Sequence, residues 1–212
     1  MKKNLLIFGF ASVLMMSCSE ETTTETAEHE EEVKVEEVCT YKYDAESTVI
    51  GWTAFKFTEK TGVKGFFENA DVMIANESED MLQTLSGATF TIPVNTINSQ
   101  NPERDVKIQE HFFGTMEATE VISGMVKSID NKTALVDLSM NGKTVEYNGN
   151  VTVDGEKVIF ETTIDMVDFE AQTSVDALNT VCETLHTGND GVSKLWSEVD
   201  IKVETTLVKD CK

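Results

Sequence analysis

The sequence contains few residues whose type and spacing suit catalysis or metal binding. Cys182 and His186 lie four residues apart in a segment with helical periodicity, so both side chains would share one helix face, as two metal ligands require. No other Cys or His lies nearby in sequence to complete a tetrahedral set, so we predict no metal site and a buried free thiol at Cys182. His29 falls in an acidic, solvated segment. His111 precedes two Phe residues and either packs at a helix end or contacts a ligand head group.

The motif content also argues against enzymatic activity. Catalysis by a nucleophile needs an activating base and an orienting group within reach. The sequence has no nucleophile elbow, phosphate-binding loop or paired-histidine motif. We therefore predict a protein that is not an enzyme and uses no cofactor. The chain has 17 basic and 38 acidic residues, a net charge of −21, so nucleic acid is excluded as a partner because phosphate binding needs clustered Lys and Arg.

Cys18 has the most specific chemical context in the sequence. Two lysines open the chain, an apolar run over residues 5–14 is too short to span a bilayer, and the small Ser17 precedes the cysteine. The junction at residues 15–18 resembles a bacterial lipoprotein signal, in which the cysteine becomes the N-terminus and carries acyl chains. This resemblance implies that residues 1–17 are removed and that Cys18 anchors the protein in the cell envelope, in the outer membrane. Alternatively, Cys18 is an ordinary residue near a conventional cleavage site.

The segment after Cys18 predicts a tether. Residues 19–38 carry nine Glu, one Lys and no aromatic residue. They contain too little apolar surface to offset chain entropy, so residues 18–38 should be disordered and extended by self-repulsion. Residues 39–212 show no internal repeat and no linker, and are enough for one domain with a sizeable core.

Alternation with period two dominates this domain. β-branched and aromatic residues recur in segments separated by turn signals, which predicts eight strands. These cover residues 41–58, 62–75, 88–97, 118–129, 132–140, 143–153, 156–167 and 194–208. The dipeptides Asn141-Gly142 and Asp154-Gly155 favour tight hairpin turns, so residues 132–167 should form a three-stranded antiparallel meander.

Two segments interrupt the strand pattern. Residues 101–113 begin with Asn101 as an N-cap and Pro102 at the first helical position, and residues 174–186 have apolar residues at helical spacing. Each predicts a short helix. Eight antiparallel strands with two short helical inserts indicate a closed barrel, in which closure removes exposed sheet edges. A two-sheet sandwich is the alternative, and composition and period do not separate the two.

Several segments occur in an order and spacing that resemble the YceI-like polyisoprenoid-binding domain. They are YKYDAESTVIGWTAFKF, GVKGFFENADVMI, TFTIPVNTINSQNPERDVKIQEHFF and TTIDMVDF, and the resemblance covers nearly all of residues 41–208. It implies a lipocalin-like antiparallel barrel that encloses a long isoprenoid chain. The sequence departs from the family pattern at Lys56, where members often carry His. It also departs after the helix predicted over residues 101–113, where the usual Pro-x-Ile-x-Phe motif is absent around residues 118–123.

The apolar alternation agrees with such a ligand. We predict that the first strand turns Ile50, Trp52 and Ala54 inward, and that either Phe66 or Phe67 follows in the second. The predicted ligand contacts are Ile50, Trp52, Ala54, Phe67, Phe90, Ile92, His111, Phe112, Leu138, Phe160, Ile164 and Met166. The alternative for each apolar residue is ordinary core packing.

Two classes of function remain. In the first, the protein is a lipid-anchored carrier or store for a polyisoprenoid, such as a quinone or prenol, and its partners are that lipid and the membrane. In the second, it is a surface interaction module with a filled barrel. The domain has 29 acidic and 14 basic residues, so we expect a ligand with a neutral head unless basic residues cluster at the mouth, for which Lys56, Lys60 and Lys64 are candidates.

The cysteines predict one disulfide. With Cys18 lipidated, three cysteines remain in an exported protein, where disulfides persist. In a closed antiparallel barrel of eight strands the first and last strands are neighbours, which brings Cys39 beside Cys211. We predict this pair, with Cys182 reduced on a helical apolar face. The alternative is that Cys39 and Cys211 are free thiols on frayed termini.

Overall fold

The computed structural model describes residues 37–212, so Cys18, the predicted signal peptide and nearly all of the predicted tether lie outside the described residues. The strands are β1 Cys39–Lys56, β2 Thr61–Phe67, β3 Asp71–Met73, β4 Thr89–Pro93, β5 Ile97–Asn98, β6 Val121–Ile129, β7 Thr133–Met140, β8 Lys143–Asp154, β9 Lys157–Asp165 and β10 Leu195–Cys211. The helices are α1 Met81–Leu85, α2 Pro102–His111, α3 Gln172–Val181 and α4 Glu183–His186.

The strands form one curled sheet. Its order is β3-β4-β6-β7-β8-β9-β10-β1-β2-β5, and every neighbouring pair is antiparallel. The two ends of the sheet meet because only residues 94–96 separate β4 from β5 in the chain. The backbone N–H of Glu68 donates to the carbonyl oxygen of Thr96 at 2.9 Å, which extends the β2–β5 pairing to the start of this connection. The predicted class, an all-β antiparallel barrel, is confirmed, and the single sheet replaces the sandwich alternative.

The predicted number of strands is wrong, because two predicted strands are each divided. The strand predicted over residues 62–75 stops at Phe67 and resumes as β3, so its two halves pair with different partners. The strand predicted over residues 88–97 stops at Pro93, which lacks the N–H that a ladder requires, and a 3₁₀ turn follows. Each break lets the chain turn a corner of the barrel.

The predicted meander of β7, β8 and β9 is confirmed. Asn141 and Gly142 both have positive φ, 51° and 68°, which is the geometry of a two-residue hairpin turn. Gly155, with φ of 62°, begins the second turn. Residues with small or locally hydrogen-bonding side chains adopt this left-handed geometry at low cost, so these turns set the register of the meander.

The helices cover the two ends of the barrel. α1 lies beside the start of β1, where Tyr41 bridges to Ser78. α2 and α3 pack together at the other end, against the second half of β1 and the start of β10. α2 matches its prediction closely, since Asn101 caps it by accepting from the N–H of Arg104 at 3.1 Å.

The other two helical features differ from the prediction. The second predicted helix begins two residues earlier than expected and divides at Cys182 into α3 and α4. The sequence pattern missed α1, a single turn whose first N–H groups donate to the carboxylate of Asp80. Within residues 37–212, helix length and apolar content are nowhere sufficient for a membrane crossing.

Candidate ligand-binding cavity

The strands enclose a cavity of about 180 Å³ in the middle of the barrel. A single water needs only roughly 10–15 Å³, so the space is large enough for a chain of many atoms. The wall is built mainly by inward-facing positions of nine strands, which repeat every second residue along a strand. On β7, for example, these are Ala134, Val136, Leu138 and Met140. The cavity therefore follows directly from the alternating pattern of the sequence.

Hydroxyl groups in this wall are satisfied by protein partners. The Oγ1 of Thr48 lies 2.8 Å from both the hydroxyl of Tyr43 and the Oγ1 of Thr205. The hydroxyl of Tyr147 donates to the carboxylate of Asp168 at 2.8 Å. Burial raises the pKa of Tyr43, and burial together with the Asp168 carboxylate raises the pKa of Tyr147. Both phenols thus stay neutral, and the wall presents an essentially apolar surface.

A second void of about 110 Å³ lies between the barrel and the helices. It shares Phe67, Ile122, Met140, Ile164 and Ile201 with the wall of the central cavity. On the other side it is closed by apolar residues of α2 and α3. These are Ile108, Phe112, Val175 and Leu178. The two voids are therefore adjacent, with these shared side chains between them.

A third space, a cleft of about 270 Å³, opens to solvent between the end of β1, α2 and the α3–α4 pair. Trp52, Ala54, Ile108, Leu178 and Leu195 form walls of both this cleft and the second void. Unlike the two inner voids, the cleft has polar sides. Its charged or ionisable residues are Lys56, Glu103, Arg104, Lys107, Cys182 and His186. The three spaces form a series that runs from the barrel centre to a cationic mouth.

Trp52 stands at the inner boundary of this mouth. It is only 8% exposed, and its Nε1 is the buried side-chain polar atom within residues 37–212 that has no hydrogen-bond partner. Buried polar groups are nearly always paired, so an orphan donor calls for an explanation. The ring edge next to this nitrogen packs against β2, since a Cβ at Gly65 would lie 2.5 Å from the Cε2 of Trp52.

Three aromatic rings of the walls lie against glycines of neighbouring strands. A Cβ at Gly65 would clash with Trp52, one at Gly124 with Phe90, and one at Gly149 with Phe160. These three contacts were not predicted from the sequence, and β8 passes Gly149 in regular register, without a bulge. The signal available was a glycine inside a strand, which often marks close approach of another group.

The predicted ligand contacts divide clearly. Eleven of the twelve line one of the three spaces, and Phe67 rather than Phe66 faces inward. His111 does not. Its side chain is 41% exposed and its Nε2 lies 3.8 Å from a carboxylate oxygen of Glu110. Ile108 and Phe112, four residues apart, occupy the inward side of this helix end, so His111 turns to the surface.

Further wall residues were not predicted, although most share the same alternating pattern. On the central cavity they are Ile122, Val126, Ile129, Ala134, Val136, Met140, Val158, Ile201 and Val203, among others. The residues of α2 and of the α3–α4 pair that form the cleft had no such signal. Their proximity to β1 depends on how the helices pack, which local periodicity does not encode.

The cysteines are arranged as predicted. Cys39 lies opposite Cys211 in the β1–β10 ladder, and the two form a disulfide. Cys182 is a buried free thiol. His186, four residues later, has its Nδ1 2.9 Å from the Oδ1 of Asn179. Within residues 37–212, Cys, His, Asp and Glu side chains do not come together in groups of three that would suit a metal ion.

The fold and its voids define a barrel of the kind that encloses an apolar ligand. Residues 41–207 match the model of the YceI-like domain, so the chain belongs to the YceI-like domain family. A UPF0312 protein of Staphylococcus epidermidis is 33% identical over 94 residues, which is 44% of this chain and 53% of that protein. A UPF0312 protein of Staphylococcus aureus is 35% identical over 105 residues, 45% of this chain and 60% of the relative. The match thus spans little more than half of each relative.

Solved structures share the same fold. The Burkholderia cenocepacia protein BcnA has a TM-score of 0.56 at 14% identity, covering 79% of this chain and 99% of its own. A polyisoprenoid binding domain from Saccharophagus degradans has a TM-score of 0.56 at 13% identity, covering 81% of this chain and 98% of its own. The alignment with this chain thus includes almost the whole of both structures.

Proposed function

We propose that this protein binds one long apolar lipid chain, an isoprenoid, inside the barrel, and that it carries or stores this lipid without converting it. The observation that supports the proposal is the series of apolar voids from the barrel centre to the helices. The similarity in fold to a polyisoprenoid binding domain points to the same class of ligand. No cofactor is needed for such a function.

Burial of the chain would supply the affinity. Each methylene group removed from water contributes about 0.8 kcal/mol, and a linear chain offers many such groups to a narrow cavity. The hydroxyls of Tyr43, Thr48, Tyr147 and Thr205 already have protein partners, so an apolar chain would leave none of them unsatisfied. The packed alternative, a filled barrel that serves only as an interaction module, has no role for the central cavity.

Organic extraction of the purified chain followed by mass spectrometry tests this function. We expect an isoprenoid, such as a quinone or prenol, at a substantial fraction of one molecule per protein. Extracts that contain no lipid, together with no binding of added geranylgeraniol, would contradict the proposal and favour the interaction module.

We also propose that Cys18 carries acyl chains that anchor the protein in the outer membrane. The charged start, the short apolar run and the small residue before Cys18 support this. More than one acyl chain gives stable anchoring where a single chain gives marginal binding, and the acidic residues 19–38 would then hold the barrel away from the bilayer. Cys18→Ser should accumulate as an unprocessed precursor or a soluble product. Unchanged mobility and membrane retention of that variant would reject the anchor.

A further inference from the structure

The cleft beside α2 holds three cations that lack acidic partners. Lys56, Arg104 and Lys107 line it, and within residues 37–212 none of them lies within 4.0 Å of a carboxylate. Glu103 is the one acidic residue in the lining. All three cations are partly buried, which strengthens their field relative to fully solvated charges. The cleft therefore carries a net positive charge in a protein whose net charge is −21.

Several other lysines of residues 37–212 lie beside carboxylates. Lys60, a sequence-based candidate for the mouth, pairs with Glu198. Lys127, Lys143 and Lys157 also have carboxylate partners. Within the same residues, lysines without a carboxylate within 4.0 Å also occur at exposed positions outside the cleft, namely Lys64, Lys132, Lys194, Lys209 and Lys212. What distinguishes Lys56, Arg104 and Lys107 is that they are partly buried and grouped around one space.

The geometry holds these cations around a common space. The Nζ of Lys56 donates to the carbonyl oxygen of Leu185 at 3.0 Å, which fixes it between β1 and α4. Arg104 and Lys107 are three residues apart on α2 and so share one helix face. Trp52 forms part of the inner wall of the same cleft. Together the three cations offer both charge and hydrogen bonds to an anion.

We propose that this cleft binds the anionic head group of the lipid, a phosphate or carboxylate, while its apolar chain passes under the helices into the barrel. The proposal rests on the lipid-binding function above and adds its head-group class. The shared walls of cleft and second void give the chain a direct route. From the sequence we expected a neutral head group unless basic residues cluster at the mouth. Lys56 and two residues of α2 form such a cluster, and Lys60 and Lys64 are not part of it.

Two lipids with the same chain test the head-group site. Geranylgeranyl monophosphate and geranylgeraniol differ only in the phosphate, and dissociation constants would be measured by calorimetry at low salt. Hydrogen bonds to a charged group are stronger than neutral ones, so we expect the phosphate to bind at least about tenfold more tightly. The combined variant Lys56→Gln, Arg104→Gln and Lys107→Gln should lose this preference and bind the alcohol as before.

A matched control removes the same charge elsewhere. Lys64→Gln, Lys132→Gln and Lys209→Gln change exposed positions outside the cleft, and this variant should keep the phosphate preference. Equal affinity for the two lipids in the wild type would overturn the head-group site and leave the lipid-binding function intact. Failure of both lipids to bind would reject both proposals. Inorganic phosphate that binds as tightly as the lipid phosphate would show a free-anion site and also overturn the proposal.

Discussion

The indole of Trp52 occupies the space in which Gly65, its partner on the neighbouring strand, would carry a side chain. The same glycine also lies close to the backbone of β5, since a Cβ there would come within 2.9 Å of the carbonyl oxygen of Asn98. The glycine thus lets β1, β2 and β5 approach one another around the ring. This places Trp52 where it closes the second void and forms the inner wall of the cleft.

Replacement of Gly65 by Ala tests this relationship. The added methyl group has to displace the indole or the backbone of β5, and overpacking of this kind costs about 1–3 kcal/mol. We expect the free energy of unfolding of Gly65→Ala, measured by urea denaturation, to be lower by that amount. Gly51→Ala is the control, because a Cβ at Gly51 would be 3.5 Å from the carbonyl oxygen of Lys202, an ordinary contact. Equal stability of the two variants would contradict the proposed packing.

The local pattern of the sequence predicts much of the barrel because each strand carries its own signal. In β7 the alternation identifies Leu138 as inward, and Val136 and Met140 follow from the same period. The turns at Asn141-Gly142 and Gly155 are equally local, since the residue types themselves favour positive φ. These features need no knowledge of distant contacts.

The features that the sequence did not predict depend mostly on contacts between distant segments. The break after Pro93 places β4 near one end of the strand order and β5 at the other. This difference in pairing depends on strands that are distant in sequence. α1 is one turn long, too short to show a helical period. The cleft is formed where Arg104 and Lys107 of α2 come close to Lys56 of β1, and no period in either segment indicates that meeting.

The Cys39–Cys211 disulfide should make a large contribution to stability. It links positions 172 residues apart, and in the chain-entropy model a loop of this size contributes roughly 5 kcal/mol, an upper estimate. Both positions lie near the surface at strand ends, so Ser itself should disturb the packing little. Replacement of both cysteines by Ser should therefore lower the unfolding midpoint strongly through loss of the crosslink. Peptide mapping under non-reducing conditions provides the direct check. A linked Cys39–Cys182 peptide, or three free thiols, would refute the pairing.

The imidazole of His186 should remain neutral at pH values well below its usual pKa. Burial, with smaller contributions from Lys56 and Lys107, lowers the pKa of its imidazole from 6.5 to about 4. The unfolded chain therefore takes up a proton near pH 6.5 that the folded chain refuses until about pH 4, so stability falls as pH decreases through this interval. An NMR titration of the His186 ring measures the pKa directly.

Variants of the neighbouring cations identify the cause of this shift. Lys56→Gln with Lys107→Gln removes the repulsion but keeps the burial, so the pKa of His186 should rise part of the way toward 6.5. The same pair of changes also reduces the positive charge of the cleft, in which Arg104 and Glu103 remain. A His186 ring that titrates near 6.5 in the wild type would show that the side chain is more solvated than the structure indicates.

Adjacent positions on β7 separate the interior of the barrel from its outside. Val136 lines the central cavity, whereas Leu135 is not among its wall residues and faces the other side of the sheet. Val136→Phe fills part of the cavity, and displacement of two methylene groups of a ligand costs about 1.6 kcal/mol. We expect its affinity for geranylgeraniol to fall by at least about tenfold, with stability maintained because the ring enters an existing void. Leu135→Phe makes the same kind of change outside the cavity and should bind as the wild type does. Equal affinity of both variants would show that the lipid does not occupy the barrel, even if the protein binds it elsewhere.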